Sequence, residues 1–121
     1  MDVQKTKQYY KNLVKTDLCQ CAYCQNYYKQ IISEYPSLHK YLYNIGVDIT
    51  KPFETMPLEP DPHNNIEYTS VQYVVLGNKH DFIETTILNT SIKIATSHPT
   101  TEILENHFII EIYPIVLRWN I

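Results

Sequence analysis

Glycine and arginine are scarce in this chain of 121 residues, with Gly46 and Gly77 the only glycines and Arg118 the only arginine. A backbone cradle for nucleotide phosphates needs a glycine-rich turn, so the sequence argues against a nucleotide-dependent enzyme. The lone arginine argues against nucleic acid, whose phosphate forks and base stacks favour that side chain. No apolar run approaches the roughly 18 residues of a membrane span. Residues 1 to 15 are rich in Lys and Gln, so no signal peptide is expected, and a cytoplasmic location with no membrane partner follows. No repeat or low-complexity tract is present. The three cysteines cannot all pair within one chain and sit too close together for a dispersed disulfide framework, which implies a reducing compartment.

What is present is enough for one folded unit. Hydrophobic residues at 44% against 19% charged exclude intrinsic disorder, and residues 1–121 are expected to form a single domain. Charge is uneven: residues 1–51 carry a net +3 and residues 52–121 a net −6. Eight of the eleven tyrosines lie in the basic half, where lysine and aromatic residues interleave as they do in single-strand binding platforms. With arginine missing there, a lysine-lined solvent face on amphipathic helices explains the pattern better, and no nucleic-acid partner is expected.

Along the chain, Val3, Tyr10, Leu13 and Val14 have the spacing of a short first helix. Asp17 followed by Gln20 is a variant of the capping box, predicting a second helix from Leu18 to about Glu34, ahead of Tyr35-Pro36. Its apolar stripe would hold Leu18, Cys21, Cys24, Tyr28, Ile31, Ile32 and Tyr35, with Cys19, Tyr23 and Asn26 opposite. Ser37 is the expected cap of a third helix carrying Leu38, Tyr41, Leu42 and Ile45, closed by Gly46. Residues 51–65 contain Pro52, Pro57, Pro60 and Pro62 and are expected to be a linker from a helical part, about 1–50, to a sheet over 66–119. Glu67 to Leu76, Phe82 to Leu88, Ser91 to Ser97 and His107 to Trp119 are predicted strands of a meander, with turns at Gly77-Asn78 and Asn89-Thr90. Pro99 to Asn106 is a long connection or one helical turn. The fold class is therefore α+β, N-terminal helices packed on one face of a C-terminal four-stranded antiparallel sheet.

All three cysteines fall in Asp17-Leu18-Cys19-Gln20-Cys21-Ala22-Tyr23-Cys24, and no other segment concentrates chemistry this way. In the plainest reading Cys21 and Cys24 are small core hydrophobes and Cys19 faces water. As a zinc site, Cys19, Cys21 and Cys24 would be thiolate ligands and His63 the fourth. On a helix begun at Leu18, however, Cys19 points about 160–200° from the other two, so three-fold ligation requires a later helix start. As a redox centre, Cys21 and Cys24 would form a CxxC pair near a helix N-terminus, without the preceding strand of a thioredoxin-like unit. Glu59, Asp61 and His63 form a weaker cluster that a solvated proline loop explains. No catalytic residue and no cofactor-binding residue is identified.

Asp17, Cys19-Gln20-Cys21-Ala22-Tyr23-Cys24-Gln25-Asn26-Tyr27, Tyr35-Pro36, Ile45-Gly46-Val47-Asp48 and Pro114-Ile115-Val116-Leu117-Arg118-Trp119 together resemble a family of small uncharacterised bacterial proteins with a CxCxxCxN(Y/F) signature. The resemblance implies that the cysteine stretch is a family hallmark and carries no activity over to any residue.

The functional expectation is a non-catalytic protein- or self-interaction module without a cofactor. The alternative is a zinc-binding or thiol-active protein centred on the cysteines. A homodimer is expected from the last strand, where Phe108, Ile110 and Ile112 lie on one face while Ile109, Tyr113, Ile115, Leu117 and Trp119 lie mostly on the other, subject to a phase shift at Pro114. A strand apolar on both faces needs a second cover, which a partner copy could give at Tyr113, Leu117 and Trp119. The alternative cover is residues 1–15 or the proline loop folding back within one chain.

Overall fold

A computed structural model describes residues 1–121. Three helices, α1 (Val3–Asn12), α2 (Ala22–Glu34) and α3 (Pro36–Asn44), precede six strands: β1 (Glu54–Pro57), β2 (Asn65–Leu76), β3 (Thr85–Ile87), β4 (Thr90–Ile94), β5 (His107–Tyr113) and β6 (Ile115–Arg118). The class is α+β with an antiparallel sheet. The expected four strands are six, and the order β1-β2-β5-β4-β3, with β6 also on β2, replaces the meander. No helix is long and apolar enough to cross a membrane.

The rearrangement follows from the last apolar stretch. A strand apolar on both faces belongs in the middle of a sheet, and β5 pairs with β2 on one side and β4 on the other. β6 continues in the same register along β2, with Tyr68 opposite Ile115 and Val71 opposite Ile112. Between those pairs Pro114 has no N–H to give the ladder, and the alternation slips by one residue on both strands. Ile115 and Leu117 consequently join Phe108, Ile110 and Ile112 in one core with Ile66, Tyr68, Val71, Tyr73 and Val75. Leu117 is fully buried inside its own chain, so the face expected around Tyr113, Leu117 and Trp119 does not form. The second apolar patch, Val74, Leu76 and Ile109, is smaller and is covered by Tyr9 of α1, Phe53, Ala95 and Ile103. That patch is covered within one chain by α1 and the segment before β1, the alternative to a partner copy.

The proline-rich segment is more than a linker. Glu54 to Pro57 forms an edge strand on β2, the position where a sheet accepts proline, and its register shifts between Thr55 and Pro57. β1 ends its pairing at Gln72, which leaves the last residues of β2, paired with β5 on one side, without a strand neighbour on the other, and α1 takes that place. Asp2 N–H donates to Leu76 O at 2.8 Å. Thr6 Oγ1 accepts from Leu76 N–H at 3.0 Å, and the Tyr10 hydroxyl donates to Val74 O at 2.7 Å. Buried backbone groups that water cannot reach are satisfied this way by a helix.

α1 starts at Asp2, whose carboxylate accepts from Lys5 N–H at 3.0 Å. α3 starts one residue before the expected Ser37 cap because Pro36 occupies its first position, where a missing N–H costs nothing. It ends as expected: Gly46, at φ +88°, takes the left-handed position, with Val47 N–H bonded to Leu42 O at 2.9 Å and Gly46 N–H to Tyr43 O at 3.0 Å. On α2 the buried residues are Cys24, Asn26, Tyr27 and Ile31, so Tyr27 rather than Tyr28 is the core tyrosine and Ile32 is exposed. Asn26, expected on the solvent side, ties α2 to the chain end by donating to Arg118 O and accepting from Asn120 N–H, both at 2.9 Å.

Candidate metal centre

α2 begins four residues later than the sequence implied. Asp17 belongs to a 3₁₀ turn, Lys15–Asp17, where its carboxylate accepts from Val14 N–H at 2.9 Å instead of capping α2. Gln20 is equally occupied: its amide donates to Lys15 O and Leu18 O and accepts from the Gln25 amide at 2.7 Å. A carboxylate and a carboxamide at capping-box spacing thus serve the turn and the loop after it, and Cys21 becomes the N-cap residue.

This later start brings the thiols together. Cys19 and Cys21 are no longer helical: Leu18, at φ −105° and ψ 152°, and Cys21, at φ −69° and ψ 163°, bracket a non-helical segment, so Cys19 is freed from the helical step of about 100° that would turn it away. Cys24 is then the third residue of the helix, the position an N-cap side chain overhangs. The non-helical segment and then the N-cap step of three bring Cys19, Cys21 and Cys24 to one point. Their sulfur atoms all lie within 4.8 Å of one another. Tetrahedral zinc with bonds of about 2.3 Å separates its sulfurs by roughly 3.8 Å, so a small inward rotation closes the set. Cys19 and Cys21 are exposed and Cys24 is buried, which corrects the expectation that Cys21 faces the core.

Hydrogen bonding differentiates the three. Cys21 N–H points at Cys19 Sγ at 3.5 Å. Burial pushes the Cys21 thiol up, but the N–H of Cys24, the neighbouring Cys19 and Cys24 thiols and the N–H of Tyr23 together outweigh it, and the thiol is lowered. Neither N–H makes a well-formed capping bond to that sulfur, so each acts as an aimed dipole rather than a full partner. Cys24 is pushed up to about 12, first by burial and further by the other two sulfurs, against the pull of the Thr55 hydroxyl 3.3 Å away. A cation among the sulfurs would reverse the preference of Cys24 for its proton.

The backbone around the sulfurs is anchored. The Tyr28 hydroxyl donates to Cys19 O at 2.9 Å, and burial raises its phenol. The Tyr68 hydroxyl, fixed on β2, donates to Tyr23 O at 2.6 Å. Tyr23 itself packs on Trp119, with ring centres 5.7 Å apart, and donates to the Glu59 carboxylate at 2.9 Å. Beside the sulfurs lies a cavity of about 220 Å³, walled by Asp17, Tyr28, Phe53, Glu54 and Thr55 as well as the cysteines.

His63 is not brought to this point. The three sulfurs form their group without it, and it sits in an exposed turn where its N–H donates to the Asp61 carboxylate at 2.8 Å. Asp61 also accepts from Asn65 N–H at 3.0 Å, so Glu59, Asp61 and His63 are spent on loop geometry and a tyrosine contact. Thr55 and Glu54 escaped the sequence because they lie in the stretch assigned as linker, and recognising its edge strand is the signal that would have found them. Comparison of the chain with protein-family profiles, curated proteins and solved structures finds no match.

Proposed function

We propose that the chain is a metal-binding protein in which Cys19, Cys21 and Cys24 hold one thiophilic cation, zinc in the first instance, as thiolates. The observation that carries this reading is the convergence of three sulfurs within 4.8 Å from a segment six residues long. Core cysteines have no reason to converge, and two of these three are exposed. Thiolate sets select zinc, copper(I) or iron–sulfur chemistry over hard cations. Three protein ligands leave the fourth position free, and in this reading it opens to the adjoining cavity, where water, a small thiol or a partner's side chain completes the tetrahedron. The N–H groups around Cys21 act as outer-shell donors that hold a sulfur ligand, and Tyr28 fixes the Cys19 backbone. No catalysis is assigned.

The test is metal content by mass spectrometry on protein purified without an affinity metal, followed by zinc titration of the reduced apo-protein against a chromophoric chelator. One equivalent of zinc is expected, lost on Cys19→Ser, Cys21→Ser or Cys24→Ser. Cobalt(II) should give thiolate charge-transfer bands with tetrahedral d–d absorption. Sub-stoichiometric metal with no competition against the chelator refutes the proposal.

A further inference from the structure

A second concave site lies between α1, α3 and the loop that follows α3. Its volume is about 410 Å³, the size range of small organic ligands. Lys7 and Lys11 stand one turn apart on α1 and His39 and Tyr43 one turn apart on α3, so each helix offers one face to the cavity. Lys51 enters from the loop, where its ammonium is held by Tyr10 O at 2.8 Å and Leu13 O at 2.9 Å with one of its three donors left. The one carboxylate in the wall, Asp48, is occupied by Thr50, accepting from its N–H at 2.9 Å and its hydroxyl at 2.6 Å.

None of the three lysines has a carboxylate partner: the ion pairs of the molecule are the N-terminus with Asp81 and Lys5 with Glu105. In a chain of net charge −3, three ammonium groups without a carboxylate partner around one cavity give it a locally positive potential. Tyr43 adds an apolar plate. The residue is 62% exposed, with Lys7 Nζ 5.8 Å from the ring centre.

From this convergence we propose that the cavity binds a small phosphorylated molecule with a flat, carbon-rich portion, the phosphate among Lys7, Lys11 and Lys51 and the flat portion on Tyr43. Lysine is a point-charge binder of phosphate, and an exposed tyrosine face stacks planar groups at low entropic cost. The site is independent of the cysteines.

Phenyl phosphate and inorganic phosphate serve as probes in an amide-resolved NMR titration at constant ionic strength. Phenyl phosphate should give saturable shifts centred on Lys7, Lys11, His39 and Tyr43, and bind more tightly than inorganic phosphate. The double variant Lys7→Ala with Lys11→Ala, both exposed positions, should weaken it at least about tenfold. Tyr43→Ala should remove the advantage over inorganic phosphate and leave the cysteine resonances unmoved. Non-saturating shifts, or shifts spread over the basic surface and unchanged in the double variant, overturn the proposal. So does saturation seen only with vesicles containing a phosphorylated inositol lipid, or only with single-stranded RNA, since either makes the surface a macromolecular one.

Discussion

Tyr27 and Tyr73 are hydrogen-bonded to each other through their hydroxyls in the centre of the core, with Tyr27 the donor because the Tyr73 proton goes to Ile49 O at 2.7 Å. Both side chains are fully buried. The relay links α2, β2 and the loop after α3, and its members are not equivalent. Tyr27→Phe removes one donor and should cost about 1 kcal/mol in urea denaturation, whereas Tyr73→Phe strands both the Tyr27 hydroxyl and the Ile49 carbonyl and should cost about 2–3 kcal/mol. The double variant should cost less than the sum, since the two changes remove one shared bond. Equal small effects would mean that water reaches the site.

Alkaline stability follows from the same residues. Tyr10, Tyr27 and Tyr73 are raised above the ordinary tyrosine value, in each case first by burial, which disfavours the phenolate. Tyr10 is further raised by Tyr9. All three keep their protons in the folded state where the unfolded chain has begun to lose them. Their contribution is thus complete below about pH 10 and declines above it, by up to about 1.4 kcal/mol per pH unit for each tyrosine. Urea midpoints between pH 8 and 11, ranges chosen around that unfolded value, should fall steeply in the upper half. A flat profile would show that the phenols are solvated.

Much of this was legible in the sequence, and the failures have specific causes. Gly46 announced its left-handed turn because only glycine takes that conformation cheaply, and the α+β class followed from the order of patterns. The start of α2 was misplaced because an acidic residue three before Gln20 is ambiguous between capping a helix and closing a 3₁₀ turn, and the turn won. That error propagated: it rotated Cys19 away from its partners and placed Tyr28, not Tyr27, in the core. The sheet order was hidden because the period-two pattern of His107–Trp119 changes phase at Pro114, which reads as two apolar faces until the pairing with Tyr68 and Val71 is known. The anion-binding cavity could not be seen at all, since Lys7, His39 and Lys51 converge only through helix packing.

Gly77 sets the attachment of α1 to the sheet. Its φ is +102°, and a Cβ there would lie 2.6 Å from Asp2 N and 2.9 Å from Met1 C, both backbone atoms. Gly77→Ala therefore meets both torsional strain and a clash with the segment that caps the end of β2, and should cost about 2 kcal/mol or more. The loss should be local in origin. Leu76 N–H, bonded to Thr6 Oγ1, should lose hydrogen-exchange protection before the amides of β5 do. Protection lost uniformly across the sheet would mean that α1 and β2 unfold only together with the whole domain.

The cysteines give the last prediction, which separates a metal site from three unrelated thiols. In the reduced apo-protein, Cys21 should react fastest with an aromatic disulfide, being exposed and lowered, Cys19 next, and Cys24 slowest, being buried and pushed up to about 12. One equivalent of zinc should protect all three, and at a hundredfold excess over its dissociation constant it should stabilise the fold by about 2.7 kcal/mol. Because Cys24 carries its proton at neutral pH and must lose it to coordinate, apparent affinity should rise with pH by about tenfold per unit for each proton displaced. Cys24→Ser should abolish the pH-dependent gain as well as the binding, leaving Cys19 and Cys21 reactive whether or not zinc is added. If instead zinc protects Cys19 and Cys21 as well in Cys24→Ser as in the parent chain, the buried sulfur is a core residue and the three-thiolate site is refuted.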